Sequence, residues 1–400
     1  MTSAPTEHAG VKRGQPAPPD SPAPARLPQL SALTGVRFAA ALVVVCLHSR
    51  KTLEGQIPDE LMSFIRSGQV GVTFFFILSG FILTYTYATS EGKLNTPQRA
   101  FWLARLARIY PVYLLGLLLA APYFLLPVLH RWPNATEWGA ALLSPLLLQA
   151  WLPQTACIWN CPGWSLSVEA FFYALFPLAL GFGVWRAGQG RGRQLGWTAL
   201  LLWGLTLTPP LLYFLLSERP FPEESLVADT FYYNPLFRLP EFLLGMLLGA
   251  RFLRGRRSSP RQAVWATVLG LAGTVLIMTF AHLFVPSFLR NTLIVPVLAL
   301  LLWGLAHGGG WIARAFAWPP IVLLGEASYS LYILHIPVLQ WLSSAWRRLL
   351  PGTPLDLSFF VVYLALLIPL SLLTYKLLER PAQQFLRRKW AKNGPRLNPS

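Results

Sequence analysis

Charged residues are scarce in this chain of 400 residues: Asp, Glu, Lys and Arg together make up 12% of it. Acidic residues are rarer than basic ones, 16 against 33, whereas apolar residues make up 54%. An ordinary soluble domain carries about twice that share of charge. The composition therefore argues against a soluble protein, and the repeated apolar runs of about 20 residues predict helices that cross a membrane.

Cysteine is also scarce, with three residues in the chain, which is too few for a disulfide framework. Cys157 and Cys161 stand four residues apart in CIWNC, and this spacing permits either a local disulfide or two free thiols. No further His or Cys stands near them to complete a metal site. We therefore predict no metal in the protein.

The first 29 residues lack any apolar core. They are rich in Pro and polar residues, a composition that predicts a disordered tail on the cytoplasmic side. Because the first apolar run begins near Leu33, we expect no cleaved signal peptide and a retained first span. The chain divides into this tail (1–29), a transmembrane domain (30–385) and a basic cytoplasmic tail (386–400).

The apolar runs predict an all-α integral membrane protein, a bundle of about ten transmembrane helices. A shorter run, 138–151, is expected to lie at the interface or to re-enter the membrane without crossing it. The predicted spans are 31–49, 68–88, 108–128, 165–184, 195–216, 235–253, 263–284, 290–307, 318–344 and 358–378.

The distribution of basic residues orients this bundle. With both termini in the cytoplasm, Lys and Arg number 23 in the inner segments and 8 in the outer ones. Cytoplasmic loops carry the excess of positive residues, so the count favours cytoplasmic termini. An acidic stretch, Glu218, Glu223, Glu224 and Asp229, then lies outside.

The first predicted span contains two side chains that are costly in hydrocarbon, Arg37 and His48. They are eleven residues apart, which on an α-helix returns to within about 20° of the same face, about 16 Å further along. Alone, Arg37 could reach the inner headgroups and His48 could end the helix. The presence of both residues on one helix face favours a functional role, in which that face lines a polar cavity.

A basic cluster precedes the third span in RAFWLARLARIYPVY. Arg105 and Arg108 share a helical face at i, i+3. Guanidinium groups bind phosphate with paired hydrogen bonds, so the cluster suits a phosphorylated ligand. By itself, such a cluster is more often simple anchoring at the cytoplasmic surface.

Polar residues recur in four later spans. In 235–253, Arg238 and Glu241 stand at i, i+3, a spacing that favours a structural ion pair within one helix. Glu379 ends the last span beside Lys376 and Arg380 and could pair with either or orient an inner arginine. Two further helices each predict one polar face, formed by Ser165, Glu169 and Tyr173 and by Ser328, Tyr332 and His335.

Taken in order, these segments resemble the membrane-bound acyltransferase family 3. Its members are multi-span enzymes that move acyl groups from coenzyme A to hydroxyl groups of sugars and other molecules. The resemblance covers roughly residues 30–385. It is carried by Arg37 and His48 at their spacing, by the R-x-x-R pair Arg105 and Arg108, and by FFFILSGF, WSLSVEAFFYALFP and SYSLYILHIP.

The resemblance implies that His48 is catalytic and that Arg37, Arg105 and Arg108 hold acyl-CoA. Glu169 is expected to orient His48 or to bind the acceptor. A neutral imidazole can take the proton of an acceptor hydroxyl, so a general base is favoured over an acyl-histidine intermediate. The further candidates on the acceptor side or in support are Trp164, Ser165, Tyr332, His335 and Glu379.

The predicted function is therefore O-acyl transfer at the plasma membrane, with acetyl-CoA as the expected co-substrate and no permanently bound cofactor. The acceptor remains open among a glycan, a lipid-linked sugar and a small hydroxylated molecule; no nucleic-acid partner is expected. Many relatives carry an additional C-terminal esterase-like domain. No such domain is expected in this sequence, so the membrane unit is expected to complete acyl transfer alone or with a partner. Polar faces on several spans also suit a transporter or flippase, which is the alternative.

Overall fold

The structure is a computed structural model. It describes residues 30–131, 133–181, 184–190, 192–216, 226–255, 258–283 and 287–385. Within these ranges the chain is helical, and the extended pairing found there is an isolated antiparallel bridge between Ala88 and Leu94. The two predicted tails, 1–29 and 386–400, and the acidic residues 218, 223 and 224 lie outside the described residues.

The α-helices are numbered along the described chain. A π-helical turn, Tyr375–Glu379, follows the last of them. Their bounds are α1 Ser31–His48, α2 Asp59–Arg66, α3 Val70–Tyr87, α4 Gln98–Leu129, α5 Ala135–Leu143, α6 Gly163–Gly181, α7 Val184–Gln189, α8 Gly192–Leu205, α9 Thr208–Leu216, α10 Leu226–Tyr233, α11 Pro235–Leu253, α12 Pro260–Phe280, α13 Ser287–Ala306, α14 Gly310–Phe316, α15 Pro319–Glu326, α16 Ser328–Leu349 and α17 Leu357–Thr374.

These helices make an all-helical membrane protein. Six in the described ranges are long and apolar enough to cross a bilayer, and nine spans result if each bent helix pair counts as one. The predicted span 235–253 is the helix α11, but Arg238, Glu241 and Arg251 make it too polar to count by composition. The structure thus supports six to nine spans, and the tenth stays a prediction.

Two predicted spans, 195–216 and 318–344, are bent pairs of helices, and the helix of a third, 290–307, is followed by a short helix beyond the predicted end. The bend is 45° between α8 and α9, 83° between α13 and α14, and 59° between α15 and α16. The sharpest bend contains Gly308 and Gly310 with φ of 77° and 74°, backbone angles that glycine adopts without a steric cost. Apolar character alone does not reveal such breaks.

Two other predicted segments differ in length. Helix α4 begins at Gln98, ten residues before the predicted start at 108, because the charged segment before the apolar run continues the same helix. The predicted short helix 138–151 is the nine-residue α5, followed by a turn and a 3₁₀ turn at Gln149–Trp151. In agreement with the prediction, this segment is too short to cross a bilayer.

Small residues bring α3 and α11 into backbone contact. A Cβ atom at Gly80 would lie 2.0 Å from the carbonyl oxygen of Phe242, and one at Gly245 would lie 1.9 Å from that of Ile77. Close approach at small residues is the usual means of helix packing in membranes, where apolar burial against lipid gives little advantage. The α3–α11 pair forms a rigid wall behind the site described next.

Candidate active site

Two histidines from distant parts of the sequence meet inside the bundle. His48 ends α1 and His335 lies in α16; the Nε2 of His335 is 3.1 Å from the Nδ1 of His48. His335 is fully buried, whereas His48 is partly exposed to a cavity. The two histidines are 287 positions apart in the sequence, so the pair is a product of the fold.

The neighbours of the pair determine which nitrogen atoms carry hydrogen. The Nδ1 of His335 faces the carbonyl oxygen of Tyr332, which can only accept, so this nitrogen donates. In a neutral ring the Nε2 of His335 then accepts, and the Nδ1 of His48 must donate. That nitrogen also lies 3.0 Å from the carbonyl oxygen of Val44, which again requires a donor. The contacts therefore leave the lone pair of His48 on Nε2.

Of the two cavities that the predicted site residues line, the larger contains His48 in its wall. Its volume is about 740 Å³, within the range of pockets that bind small organic ligands. Its wall includes the predicted residues Trp164 and Tyr332. It also includes residues that the sequence analysis did not assign to the site, among them Ser63, Asp59, Tyr232, His282, Arg290 and Asn291.

The three predicted arginines converge on the smaller cavity, of about 110 Å³. Arg37 comes from α1, and Arg105 and Arg108 come from α4; all three line this cavity. Arg105 donates to the hydroxyl of Tyr87 at 2.8 Å, and its guanidinium lies 5.1 Å from the centre of that ring. The structure thus brings together cations that are about 70 residues apart in sequence.

Two carboxylates stand near these arginines without pairing with them. Glu169 on α6 accepts a hydrogen bond of 2.7 Å from Tyr173, and the buried Glu379 accepts one of 2.9 Å from Ser330. Both interact electrostatically with Arg37 and Arg108. In the described ranges, no carboxylate oxygen lies within 4.0 Å of the guanidinium nitrogens of the three arginines.

The position of Glu379 depends on the π-helical turn after α17. In such a turn one extra residue changes which side chains face the neighbouring helix. The carboxylate of Glu379 accepts from Ser330 of α16, and its oxygens lie within 4.0 Å of no side-chain nitrogen of Lys376 or Arg380, both of which the structure describes. Of the alternatives that the sequence left open, an ion pair with Lys376 or Arg380 is not formed among the described residues, whereas the orientation of an inner arginine by Glu379 stays a prediction.

The two cavities share part of their lining. Val72 of α3 and Tyr332 of α16 line both. The hydroxyl of Tyr332 lies 2.9 Å from the Oγ of Ser165, which lines the smaller cavity. One face of α1 therefore leads from Arg37 in the smaller cavity to His48 in the larger one, past the junction at Val72 and Tyr332.

A separate charged pair lies in the wall of the larger cavity. Arg238 and Glu241 of α11 are 3.3 Å apart and both are buried, as the spacing predicts. Arg238 also donates to Thr73 at 2.9 Å, and its guanidinium lies 5.4 Å from the ring centres of both Phe76 and Tyr232.

The loop before α6 is closed by a disulfide between Cys157 and Cys161. Within the loop, the indole of Trp159 donates to the carbonyl of Leu117 at 3.0 Å, and Asn160 donates to that of Ile333 at 3.2 Å. The loop thus ties α6 to α4 and α16, the helices that carry Ser165, the arginine pair and Tyr332. Among the residues described, no group of His, Cys, Asp and Glu side chains could hold a metal ion.

Comparison with known proteins identifies the family of this fold. The model of an acyltransferase domain matches residues 30–376. The acyltransferase MdmB of Streptomyces mycarofaciens is 28% identical over 334 residues, which cover 80% of this chain and 81% of that protein.

Two longer relatives match over a similar region. YrhL of Bacillus subtilis (strain 168), provisionally named a peptidoglycan O-acetyltransferase, is 26% identical over 374 residues, 87% of this chain and 54% of that protein. A protein of Staphylococcus aureus (strain COL), provisionally named an O-acetyltransferase, is 22% identical over 370 residues, 87% of this chain and 56% of that protein. The chain therefore spans about half the length of these two relatives.

No solved structure matches the chain. The acyltransferase domain nevertheless covers most of it, from the start of α1 to the π-helical turn. The protein is therefore a transferase of acyl groups and belongs to the membrane acyltransferase family 3.

Proposed function

We propose that the protein transfers an acetyl or similarly short acyl group from cytoplasmic acyl-CoA to a hydroxyl group on the opposite side of the plasma membrane, with His48 as the general base. One observation carries this proposal: a cavity lined by three arginines and a cavity lined by His48 adjoin each other at Val72 and Tyr332. A donor can be held in the first cavity while its acyl group reaches the second.

The proposed orientation has ten spans, with α11 as the tenth, and both termini in the cytoplasm. Besides the charge distribution, the Cys157–Cys161 disulfide supports it. Disulfides persist in oxidising compartments, and this orientation places the loop on the outer side. The smaller cavity then lies toward the cytoplasm, where acyl-CoA is found, and His48 lies toward the outside.

On the donor side, Arg105 and Arg108 hold the phosphates of CoA, and Arg37 lies further along the path of the pantetheine arm. Guanidinium groups suit phosphate because they can donate two parallel hydrogen bonds. The three arginines are not paired with Glu169 or Glu379, so an anionic ligand can engage them without breaking an existing ion pair. The two glutamates offset part of the positive charge when no donor is bound.

At the reacting centre, His48 takes the proton of the acceptor hydroxyl on Nε2 as the oxygen attacks the thioester carbon. The new carbon–oxygen bond forms, the carbon–sulfur bond breaks, and the proton passes from His48 to the leaving CoA thiolate. The Nδ1 of His48 keeps its hydrogen throughout and donates it to His335, which holds the ring in this tautomer. A direct transfer of this kind requires no acyl-histidine intermediate.

The acceptor occupies the larger cavity. Its volume of about 740 Å³ accommodates a monosaccharide unit or a hydroxylated small molecule. A glycan acceptor agrees with the name of one relative, which refers to peptidoglycan. Trp164 and the Arg238–Glu241 pair supply an apolar ring and polar groups in the wall of this cavity.

The variant His48→Ala tests the proposal. Transfer from radiolabelled acetyl-CoA by the purified protein should fall by about 10²–10⁴-fold, the usual contribution of a general base. Binding of CoA should be unchanged, because the arginines lie in the other cavity.

His130→Ala is the matched control. The His130 ring has the same local geometry as that of His48, because its Nδ1 faces the carbonyl oxygen of the fourth preceding residue, Leu126. His130 is exposed, however, and lines neither cavity. Transfer by His48→Ala at the rate of the His130→Ala control would refute the assignment of the base. Loss of CoA binding in His48→Ala would refute the separation of donor and base between two cavities.

A further inference from the structure

The junction between the two cavities holds a hydroxyl group that the mechanism above does not use. Tyr332 lines both cavities, and the residue is buried, with 6% of its surface exposed. Its carbonyl oxygen accepts from His335, one turn further along α16, and the ring centres of these two residues are 5.8 Å apart. Tyr332 is thus fixed beside the histidine pair at the point where the acyl group must pass.

Hydrogen bonding orients the hydroxyl of Tyr332. Ser165 donates its single hydrogen to the carbonyl oxygen of Pro162 at 3.0 Å. The oxygen of Ser165 then accepts from Tyr332, which lies 2.9 Å away. The Tyr332 hydrogen is therefore directed at a weak, neutral acceptor, and rotation about the C–O bond redirects it without moving the ring.

A developing oxyanion is a stronger acceptor than a serine hydroxyl. Hydrogen bonds to ionised groups are shorter and about twice as strong as neutral ones. When the thioester carbon becomes tetrahedral, its oxygen carries negative charge, and the proposed donor beside it belongs to a residue that is 6% exposed. A buried donor there contributes more than it would in bulk water.

We propose that Tyr332 is the oxyanion donor of the reaction, with Ser165 as the residue that positions its hydroxyl group. In the transition state the hydroxyl of Tyr332 donates to the former carbonyl oxygen of the thioester. The hydrogen atom stays on Tyr332 throughout. When the carbon–sulfur bond breaks and the carbonyl re-forms, the hydroxyl of Tyr332 again donates its hydrogen bond to Ser165. This inference rests on the proposed transfer from acyl-CoA and adds a catalytic residue to it.

A purely structural role makes a different prediction. If the Ser165–Tyr332 bond only joined α6 to α16, its loss would lower stability and would not depend on the chemical nature of the acyl donor. The two roles are separated by changing the oxygen atom that the hydroxyl is proposed to contact.

Tyr332→Phe removes the hydroxyl and keeps the ring. We expect kcat to fall by about 10²–10³-fold, the usual cost of one oxyanion donor, with the Kd for CoA unchanged. Tyr123→Phe is the matched control: its hydroxyl also bonds α16, at Gln340 and Ser344, but it lines neither cavity. That variant should keep the wild-type kcat.

The decisive measurement replaces the thioester oxygen of acetyl-CoA by sulfur. A thiocarbonyl accepts hydrogen bonds poorly, so the wild-type protein should prefer the oxygen substrate more strongly than the Tyr332→Phe variant does. The ratio of kcat values for the oxygen and sulfur donors should fall at least ten-fold in the variant. Intrinsic reactivity cancels in this comparison, because both proteins act on the same two donors.

Three outcomes overturn the inference and leave the proposed function standing, provided that His48→Ala is inactive. These are a kcat for Tyr332→Phe within three-fold of wild type, a lower kcat with an unchanged oxygen-to-sulfur ratio, and an equal loss in Tyr123→Phe. Should Tyr332→Phe not fold, Ser165→Ala replaces it. Because Ser165 positions the hydroxyl of Tyr332, its loss should lower the ratio of kcat values for the oxygen and sulfur donors, and a ratio equal to that of wild type overturns the inference.

Discussion

The bundle holds arginines in two contrasting environments. Arg238 is buried against Glu241, Thr73 and two aromatic rings, so its charge is neutralised within the protein. Arg105 is as deeply buried, but in the described ranges it is bonded to the neutral hydroxyl of Tyr87 and to no carboxylate. Under the proposed function, the contrast separates a charge that serves the fold from charges that receive a ligand.

The same contrast extends to the carboxylates. Glu241 forms an ion pair with Arg238 on the same helix. Glu169 and Glu379 instead accept hydrogen bonds from hydroxyl groups, those of Tyr173 and Ser330 respectively. Holding these two acids a short distance from the arginines avoids the cost of isolated positive charge in the membrane. It also leaves the guanidinium groups free to change partners. The predictions below test this distinction, beginning with the largest effect.

Breaking the Arg238–Glu241 pair should have the largest effect, and on stability. Arg238→Ala leaves a buried carboxylate uncompensated, which costs about 3–5 kcal/mol. We expect a strongly lowered melting temperature of the detergent-solubilised protein.

The double variant Arg238→Met with Glu241→Leu removes both charges and should be more stable than Arg238→Ala. Equal stability of Arg238→Ala and wild type would show that the pair is not a structural element.

Removing the unpaired arginines should affect binding and spare the fold. Arg105→Ala with Arg108→Ala deletes two charge-assisted contacts, and each such contact contributes about 1.5–3 kcal/mol. The Kd for CoA, measured by calorimetry in detergent, should rise by at least 100-fold while the melting temperature changes little.

Arg99→Ala is the control, since Arg99 stands on the same helix but is exposed and lines neither cavity. An equal loss of CoA affinity in Arg99→Ala would indicate a diffuse surface attraction in place of a defined phosphate site.

Neutralising a nearby acid should give the smallest effect, in the opposite direction. Glu379→Gln keeps an acceptor for Ser330 but removes one negative charge near the arginines. A change of about 1 kcal/mol in the interaction with an anion should lower the Kd for CoA about five-fold.

Glu241→Gln serves as the comparison for that variant. It should lower stability and leave the Kd for CoA unchanged, because its partner is Arg238. If Glu379→Gln weakened CoA binding, the two acids would not be acting as counter-charges for an empty donor site.

Local patterns in the sequence predicted much of this arrangement. The spacing of Arg37 and His48 gave their shared face, and the spacing of Arg238 and Glu241 gave their ion pair, because helix geometry fixes such short-range relations. The grouping of His48 with His335, and of Ser165 with Tyr332, arises from packing between helices that are far apart in sequence. The spacing of polar residues along one helix predicts that they share a face, but it does not predict which other helix that face packs against.

Other features could not be predicted from the sequence, for identifiable physical reasons. The bends at 205–208, 306–310 and 326–328 do not alter mean hydropathy, although glycine and proline mark the first two. The wall of the larger cavity draws Ser63, His282 and Asn291 from short helices and helix ends. These residues carry no motif. A search for polar residues at the ends of apolar runs could have suggested these residues, but it could not have predicted that they line the same cavity.

The junction of Val72 and Tyr332 also bears on the ion gradients of the cell. An enzyme that carries acyl groups across a membrane must not become a pore for protons or sodium ions. In the proposed orientation, Val72 and Tyr332, with Ser165 bonded to the latter, stand where the inner and the outer cavity meet. Under the proposed function, an acyl group on a tethered arm reaches this junction from the inner cavity, and a junction this narrow would keep hydrated ions on their own sides during turnover.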